Sequence, residues 1–204
     1  MADQLITGTT LVEKESRSAG DIPVGGIVEW DDTFSAVPEN YRECNGGTVN
    51  DPSSPYVGTD VPDLNTNYMS ITGTNFTSRN PSSDDIAHDA GTGNIASQTE
   101  NIEVSAVVNL PHGSTITEVI VYGNGGAVAG TTWVMKHSDQ AGASVEMAGA
   151  AVGTEDEIIT NPIIDNENRA YWIETGVDTL DTSDDIYGAR ITYEPRFKFI
   201  IRIK

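Results

Sequence analysis

The chain contains one cysteine, Cys44, so no disulfide can close within it and no thiolate zinc cluster can form. Histidine is almost as scarce: His88, His112 and His137 lie far apart, in no recognisable ligand spacing. Lysine occurs only as Lys14, Lys136, Lys198 and Lys204. Together Lys and Arg number 11 against 31 acidic residues, a formal net charge of −20. Such a surface repels phosphate backbones and anionic lipid, which argues against nucleic acid and membranes as partners. No apolar run approaches the ~20 residues of a membrane span. The first ten residues show no basic stretch followed by an apolar one, so no signal peptide is read there and synthesis in the cytoplasm is expected. Apolar residues spaced i, i+3, i+4, i+7 are also missing, which turns the reading away from a helical fold.

Turn and strand chemistry is abundant. Gly occurs 20 times and hydrophobic residues make up 37% of the chain, a low share that fits a loop-rich β protein. Residues 1–19 alternate weakly and are expected to be an N-terminal arm. Residues 20–66 form a small, turn-rich module: a strand entered through Pro23 and ending at Trp30, then Pro38, Tyr41, Cys44-Asn45-Gly46 and Pro62-Asp63-Leu64 among turn residues. Residues 67–101 are dominated by Ser, Thr, Asn, Gly and Asp and read as an extended linker or inter-subunit segment. From residue 102 short alternating strands recur, at 102–108, 117–122, 132–137, 144–151, 169–174, 186–193 and 197–203. About seven short strands in some 100 residues is the pattern of an antiparallel β-sandwich, here residues 102–204. The expected fold class is all-β, a collar-like module followed by a sandwich.

The ordered pieces Ile22-Pro23-Val24-Gly25-Gly26-Ile27-Val28-Glu29-Trp30, Pro38 with Tyr41, Cys44-Asn45-Gly46 and Pro62-Asp63-Leu64 resemble the phage tail-collar domain of tail-fibre proteins. Asn65-Thr66 stands where that family usually carries Arg-Gly. The resemblance implies a virion appendage, commonly homotrimeric, contacting other virion proteins and made in the host cytoplasm, with no catalytic residues to carry over.

Candidate chemistry is sparse. The adjacent acids Asp31-Asp32, Asp84-Asp85 and Asp184-Asp185 would point to opposite faces of a strand and so could not share one catalytic site. Asp178, Asp181, Asp184 and Asp185 crowd one inter-strand loop and are the only weak Ca²⁺ candidates, although the EF-hand spacing is absent; a solvated acidic loop is the plainer reading. Trp30, Trp133 and Trp172 could stack on sugars, but Trp133 and Trp172 lie in alternating strands where a core position is expected. Lys198, Arg202 and Lys204 share one face of the final strand, a basic stripe on an acidic chain. They suit an acidic surface of a neighbouring copy, or protection of a sheet edge.

The sequence thus predicts a non-enzymatic structural virion protein, a tail-fibre-like appendage or capsid decoration, forming a homo-oligomer, with a host-surface glycan as a further candidate partner. The rival reading is a secreted or surface glycan-binding β-sandwich.

Overall fold

The computed structural model describes residues 4–7, 10–13, 22–30, 36–82, 85–175 and 180–204. Among them the strands in chain order are β1 (Gln4–Thr7), β2 (Thr10–Glu13), β3 (Ile27–Trp30), β4 (Tyr41–Glu43), β5 (Asn67–Thr72), β6 (Thr77–Ser78), β7 (Ile86–Asp89) and β8 (Asn94–Ser97). There follow β9 (Val104–Val108), β10 (Thr115–Gly123), one short helix α1 (Gly125–Gly130), β11 (Thr132–Asp139), β12 (Ser144–Ala151), β13 (Glu155–Asp156), β14 (Arg169–Thr175), β15 (Asp185–Glu194) and β16 (Lys198–Arg202). The protein is all-β with antiparallel sheets, as expected. No described helix is long and apolar enough to cross a membrane.

The chain forms two compact units, Met1–Asn65 with Phe197–Lys204, and Thr66–Arg196. The larger unit is the sandwich. One sheet runs β12-β11-β14-β9-β6; the other runs β13-β10-β15-β8-β7, with β5 also paired to β15. Alternation sends one set of side chains inward from each sheet. Val119 and Val121 of β10, Ile186 and Ile191 of β15, Trp133 and Met135 of β11, and Tyr171 and Ile173 of β14 belong to one buried cluster. Each fully buried Ile or Met of this kind stabilises the fold by roughly 1.5–3 kcal/mol. Gly188 adopts φ +146 where β15 passes β5, and a Cβ there would stand 2.3 Å from the Ile71 carbonyl oxygen. Only glycine fits that approach.

Two boundaries differ from the sequence reading. Residues 67–101 are not a linker, since they supply β5 to β8 to the sandwich. Taken as a whole, they carry few apolar residues. Pairing holds them in place: β5 meets β15 from Asn67↔Tyr193 to Thr72↔Gly188, with Ile71, Phe76 and Ile95 supplying buried anchors. The final strand, in turn, is not part of the sandwich. β16 is the central strand of the sheet β3-β16-β4 in the smaller unit, so the sandwich ends before residue 197.

In that smaller unit the quoted motif pieces come together. Asn45 bridges Asp63, the Leu64 N–H donates to the Cys44 carbonyl at 2.8 Å, and the Cys44 N–H donates to the Phe199 carbonyl at 2.8 Å. Asn65 is buried and clasps Phe199 from both sides: its Nδ2 donates to the Phe199 carbonyl at 3.2 Å and its Oδ1 accepts from the Phe199 N–H at 2.6 Å. Val49, Val61 and Ile203 form a small separate core. Of residues 1–19, the described ones form the antiparallel pair β1–β2.

Gly123-Asn124-Gly125-Gly126, which reads as a hairpin turn, instead opens α1 between β10 and β11. The Asn124 side chain caps that helix by accepting from the Ala127 N–H, the ordinary N-cap role of asparagine.

Candidate glycan-contact face

Inward Tyr171 and Ile173 place Trp172 and Glu174 on the outer face of β14. By the same parity, inward Trp133, Met135 and His137 turn Val134 and Lys136 outward from β11. Register brings these residues side by side: Lys136 lies across from Trp172, and Trp172 across from Val107 of β9. Val134 and Ser105 flank Glu174 in the next row.

Glu174 ties this face together. Its Oε2 accepts from the Trp172 indole N–H at 3.1 Å, its Oε1 accepts from the Lys136 ammonium, and Arg79 stands 3.7 Å away while also pairing with Glu103. Although Glu174 projects from the outer face, its side chain keeps only 7% exposure beneath these neighbours. Burial pushes its carboxyl pKa up. The hydrogen bonds from Lys136 and Trp172 and the Lys136 and Arg79 charges outweigh burial and hold it below its usual value. Trp172 itself is half-buried, so its indole is fixed at the N–H edge while part of the ring stays open.

Beside Trp172 lies an open cleft of about 730 Å³, lined in part by Val107, Asn109, Asn166, Arg169 and Tyr171. The loop ahead of β14 shapes its rim. Asn168 Nδ2 donates to Asp165 Oδ2 at 2.9 Å, and the Asp165 N–H donates to the Tyr171 hydroxyl at 2.7 Å. Asn166 is anchored through its Nδ2 to the Leu110 carbonyl at 2.8 Å. The Asn168 hydrogen bond, with burial opposing it, holds the Asp165 carboxyl below its ordinary pKa. The smaller unit has a depression of about 370 Å³ by Pro38, Glu39 and Glu43, but its aromatic lining, Tyr41, is buried.

The remaining sequence candidates fall elsewhere. Trp133 is 0% exposed, with its indole N–H shared between the Ala151 and Thr154 carbonyls at 3.2 Å each; it is core and cannot stack on a ligand. Trp30 ends β3 in the smaller unit, half-buried. Asp178 lies outside the described residues. Asp184 is buried and spends Oδ2 as a turn cap on the Asp181 N–H at 2.9 Å, while Asp181 is exposed and Asp185 begins β15. Among the described residues no three His, Cys, Asp or Glu side chains gather to hold a metal.

The basic stripe meets acidic groups of its own chain. Lys198 lies 3.5 Å from Glu43, Lys204 lies 2.7 Å from Asp51, and Arg202 donates to the carbonyls of Ile22 and Lys204. The hydrogen bond from Lys204 comes first among the causes that hold the Asp51 carboxyl well below its ordinary pKa.

Sequence reasoning missed Lys136, Glu174, Arg79, Arg169 and the two cleft asparagines. Parity alone could have turned Trp172 outward with Glu174, since Tyr171 and Ile173 are the apolar alternates. The cross-strand register that adds Lys136 and Val107 is written in no local pattern.

No family model matches the sequence, and no curated protein does. Among solved structures the chain is similar to the C-terminal CBM6 of LamC, a marine laminarinase from Zobellia galactanivorans, at 16% identity and TM-score 0.38, covering 62% of this chain and 99% of that one. It is similar to a mutant of CBM29-2, a family 29 carbohydrate-binding module, at 10% identity and TM-score 0.33, covering 68% and 86%. A second CBM29-2 mutant, complexed with cellulohexaose, gives 11% identity and TM-score 0.24 over 68% and 92%. Values this low carry no conclusion about a ligand.

Proposed function

We propose that the chain is a non-catalytic glycan-binding β-sandwich protein whose ligand lies along the outer face of β14. The observation that carries this reading is Trp172: a half-open indole, fixed by Glu174, beside a cleft rimmed by Asn109 and Asn166. An aromatic ring offers apolar area to the C–H face of a pyranose, and the surrounding amides and charges can meet its hydroxyls. No step of the reading needs bond-breaking chemistry. The test is a glycan screen with the whole chain, followed by titration of any hit against Trp172→Ala. Loss of at least about tenfold in affinity is expected while the thermal midpoint stays near that of the parent. Equal affinity in the variant removes this face from the account.

A second reading draws on the smaller unit. The collar-like pieces are distant in sequence yet hydrogen-bond to one another around Cys44 and Phe199, as parts of one module would. On this reading the chain is a virion appendage, homotrimeric and attached to other virion proteins, with the sandwich turned to host-surface glycan. Finding the protein in purified particles, together with a mass by light scattering of three times 21.8 kDa, is its test.

A further inference from the structure

The two sheets of the sandwich bury their inner faces in one cluster, so the outer face of β10, β15 and β5 points away from Trp172. Alternation assigns its residues. Ile71 and the partly buried Met69 of β5 pack into that cluster, which turns Tyr68, Ser70 and Thr72 outward. Ala189 and Ile191 send Arg190 outward from β15, and Val119 does the same for Glu118 on β10. Register brings these side chains together: Thr192 lies between Tyr68 and Glu118, and Arg190 lies across from Ser70.

The three outward residues of β5 are all exposed. Tyr68, at 61%, is the most open Tyr, Trp or Phe among the described residues. Its ring is nonetheless held. The Arg190 guanidinium carbon stands 5.8 Å from the ring centroid, a cation–π distance, and Arg190 is itself fixed by Glu118 Oε1 at 2.7 Å. The Thr192 hydroxyl donates to the same oxygen at 3.3 Å.

A fixed ring with most of its surface in water is a stacking platform. The Ser70 and Thr72 hydroxyls continue it along β5 for about 13 Å. The charges beside it cancel, because Arg190 and Glu118 pair with each other. Such a strip suits an uncharged ligand rich in hydroxyls and C–H faces. A second copy of the chain suits it poorly: at −20 two copies repel, and Arg190, the cation on this strip, is already paired. We propose that the outer face of β5 is a second glycan-binding site, taking a neutral oligosaccharide with one pyranose stacked on Tyr68. The ligand class rests on the glycan reading of the β14 face, while the site stands on its own residues. With a binding face on each sheet, one copy of the protein can hold two glycan chains at once and bridge them.

The experiment is calorimetric titration of the whole chain with neutral hexasaccharides of glucose, mannose, xylose and galactose and with a uronate hexasaccharide. The parent, Tyr68→Ala, Trp172→Ala and the double variant are compared. The parent is expected to bind two neutral sugars per chain, Trp172→Ala to keep one, and the double variant to keep none. Tyr68→Ala should weaken its own site at least about tenfold, and Tyr68→Phe, which retains the ring, should bind like the parent. Since Tyr68 is largely in water, the Ala variant should melt close to the parent temperature. An isotherm that Tyr68→Ala leaves unchanged, or one that Trp172→Ala abolishes entirely, overturns this inference and leaves the Trp172 site standing. Binding lost in Tyr68→Ala but kept in Trp172→Ala supports this site and removes the other. Tighter binding of the uronate at this site overturns the assignment of a neutral ligand. Weaker self-association of Tyr68→Ala by light scattering, with sugar binding unchanged, gives the strip to a second copy and overturns the proposal. Failure of every sugar to bind removes both sites.

Discussion

Trp172 donates its indole N–H to Glu174, two residues further along the same strand, at 3.1 Å. Residues i and i+2 of a strand share a face, so the carboxylate lies beneath the ring edge and holds its orientation. Lys136 and Arg79 supply the positive charge that lets this carboxylate stay ionised with little exposure.

Replacing Glu174 by Ala therefore strands Lys136, leaves Arg79 with Glu103 alone, and frees the indole. The expected loss of stability is about 1–2 kcal/mol, below the ~3–5 of a fully buried pair because Lys136 and Arg79 remain partly in water. Glu174 also titrates below its ordinary value in the folded chain. Its contribution is fully present above the ordinary carboxyl pKa and is lost as pH falls through the lowered folded value. Denaturant titrations of parent and variant at several pH values should converge in acid; parallel curves would place the coupling elsewhere.

His137 is expected to act on stability in the neighbouring pH window. It is 4% exposed, and neither ring nitrogen has a hydrogen-bond partner among the described residues. Burial first, then the charge of Arg169, depresses its pKa below 6.5, with Asp139 opposing. The unfolded chain then binds a proton that the folded one refuses, so stability should drop as pH falls through 6.5 toward the folded value. His137→Leu removes two unsatisfied nitrogens, each a cost of about 1–3 kcal/mol, and should melt no lower than the parent near neutrality. The acid-side decline should flatten in thermal scans of the variant. An unchanged decline would exclude His137 as its cause.

The division of the chain makes a sharper demand. A fragment of residues 66–196 is expected to fold alone with one cooperative transition. A fragment of 102–204, lacking β5 to β8 and the buried Ile71, Phe76 and Ile95, is expected to stay unfolded by circular dichroism. The reverse outcome would restore the sequence-based boundary.

That boundary shows what the sequence could and could not disclose. All seven strands read from residue 102 onward are present, because inward pairs such as Val119 with Val121 and Trp133 with Met135 repeat at the period of a strand. β5 to β8 escaped notice because the segment around them is rich in Ser, Thr and Asn, and the pairing of β5 and β8 with β15 and of β6 with β9 is a long-range fact. The final strand was recognised but assigned to the wrong sheet: Phe197–Ile203 alternates equally well for either. Its true neighbours are set by Asn65 and Cys44, more than a hundred residues away. At the candidate site Trp172 was visible and Glu174 inferable, while Arg79, Lys136 and Asn109 join them only through register.

Changing Lys198, Arg202 and Lys204 together to Glu should act within the chain. Glu43 and Asp51 would then face like charges, and the Ile22 carbonyl would lose its donor. The smaller unit is expected to melt earlier, partly rescued by high salt, while the sandwich transition stays put. If melting is unchanged and only self-association weakens, the stripe belongs to an intermolecular contact, as the sequence first suggested.

The most direct measurement uses the three tryptophans as built-in reporters. In a ¹⁵N-labelled sample the indole N–H signals of Trp30, Trp133 and Trp172 can be assigned by single substitution and followed while a glycan that binds is added. The Trp172 signal should move in a saturable way, because its N–H rests on Glu174 at the edge of the cleft. Trp133, sealed in the core with its N–H on the Ala151 and Thr154 carbonyls, should stay still. A bound glycan that leaves the Trp172 signal unmoved would contradict the assignment of this face.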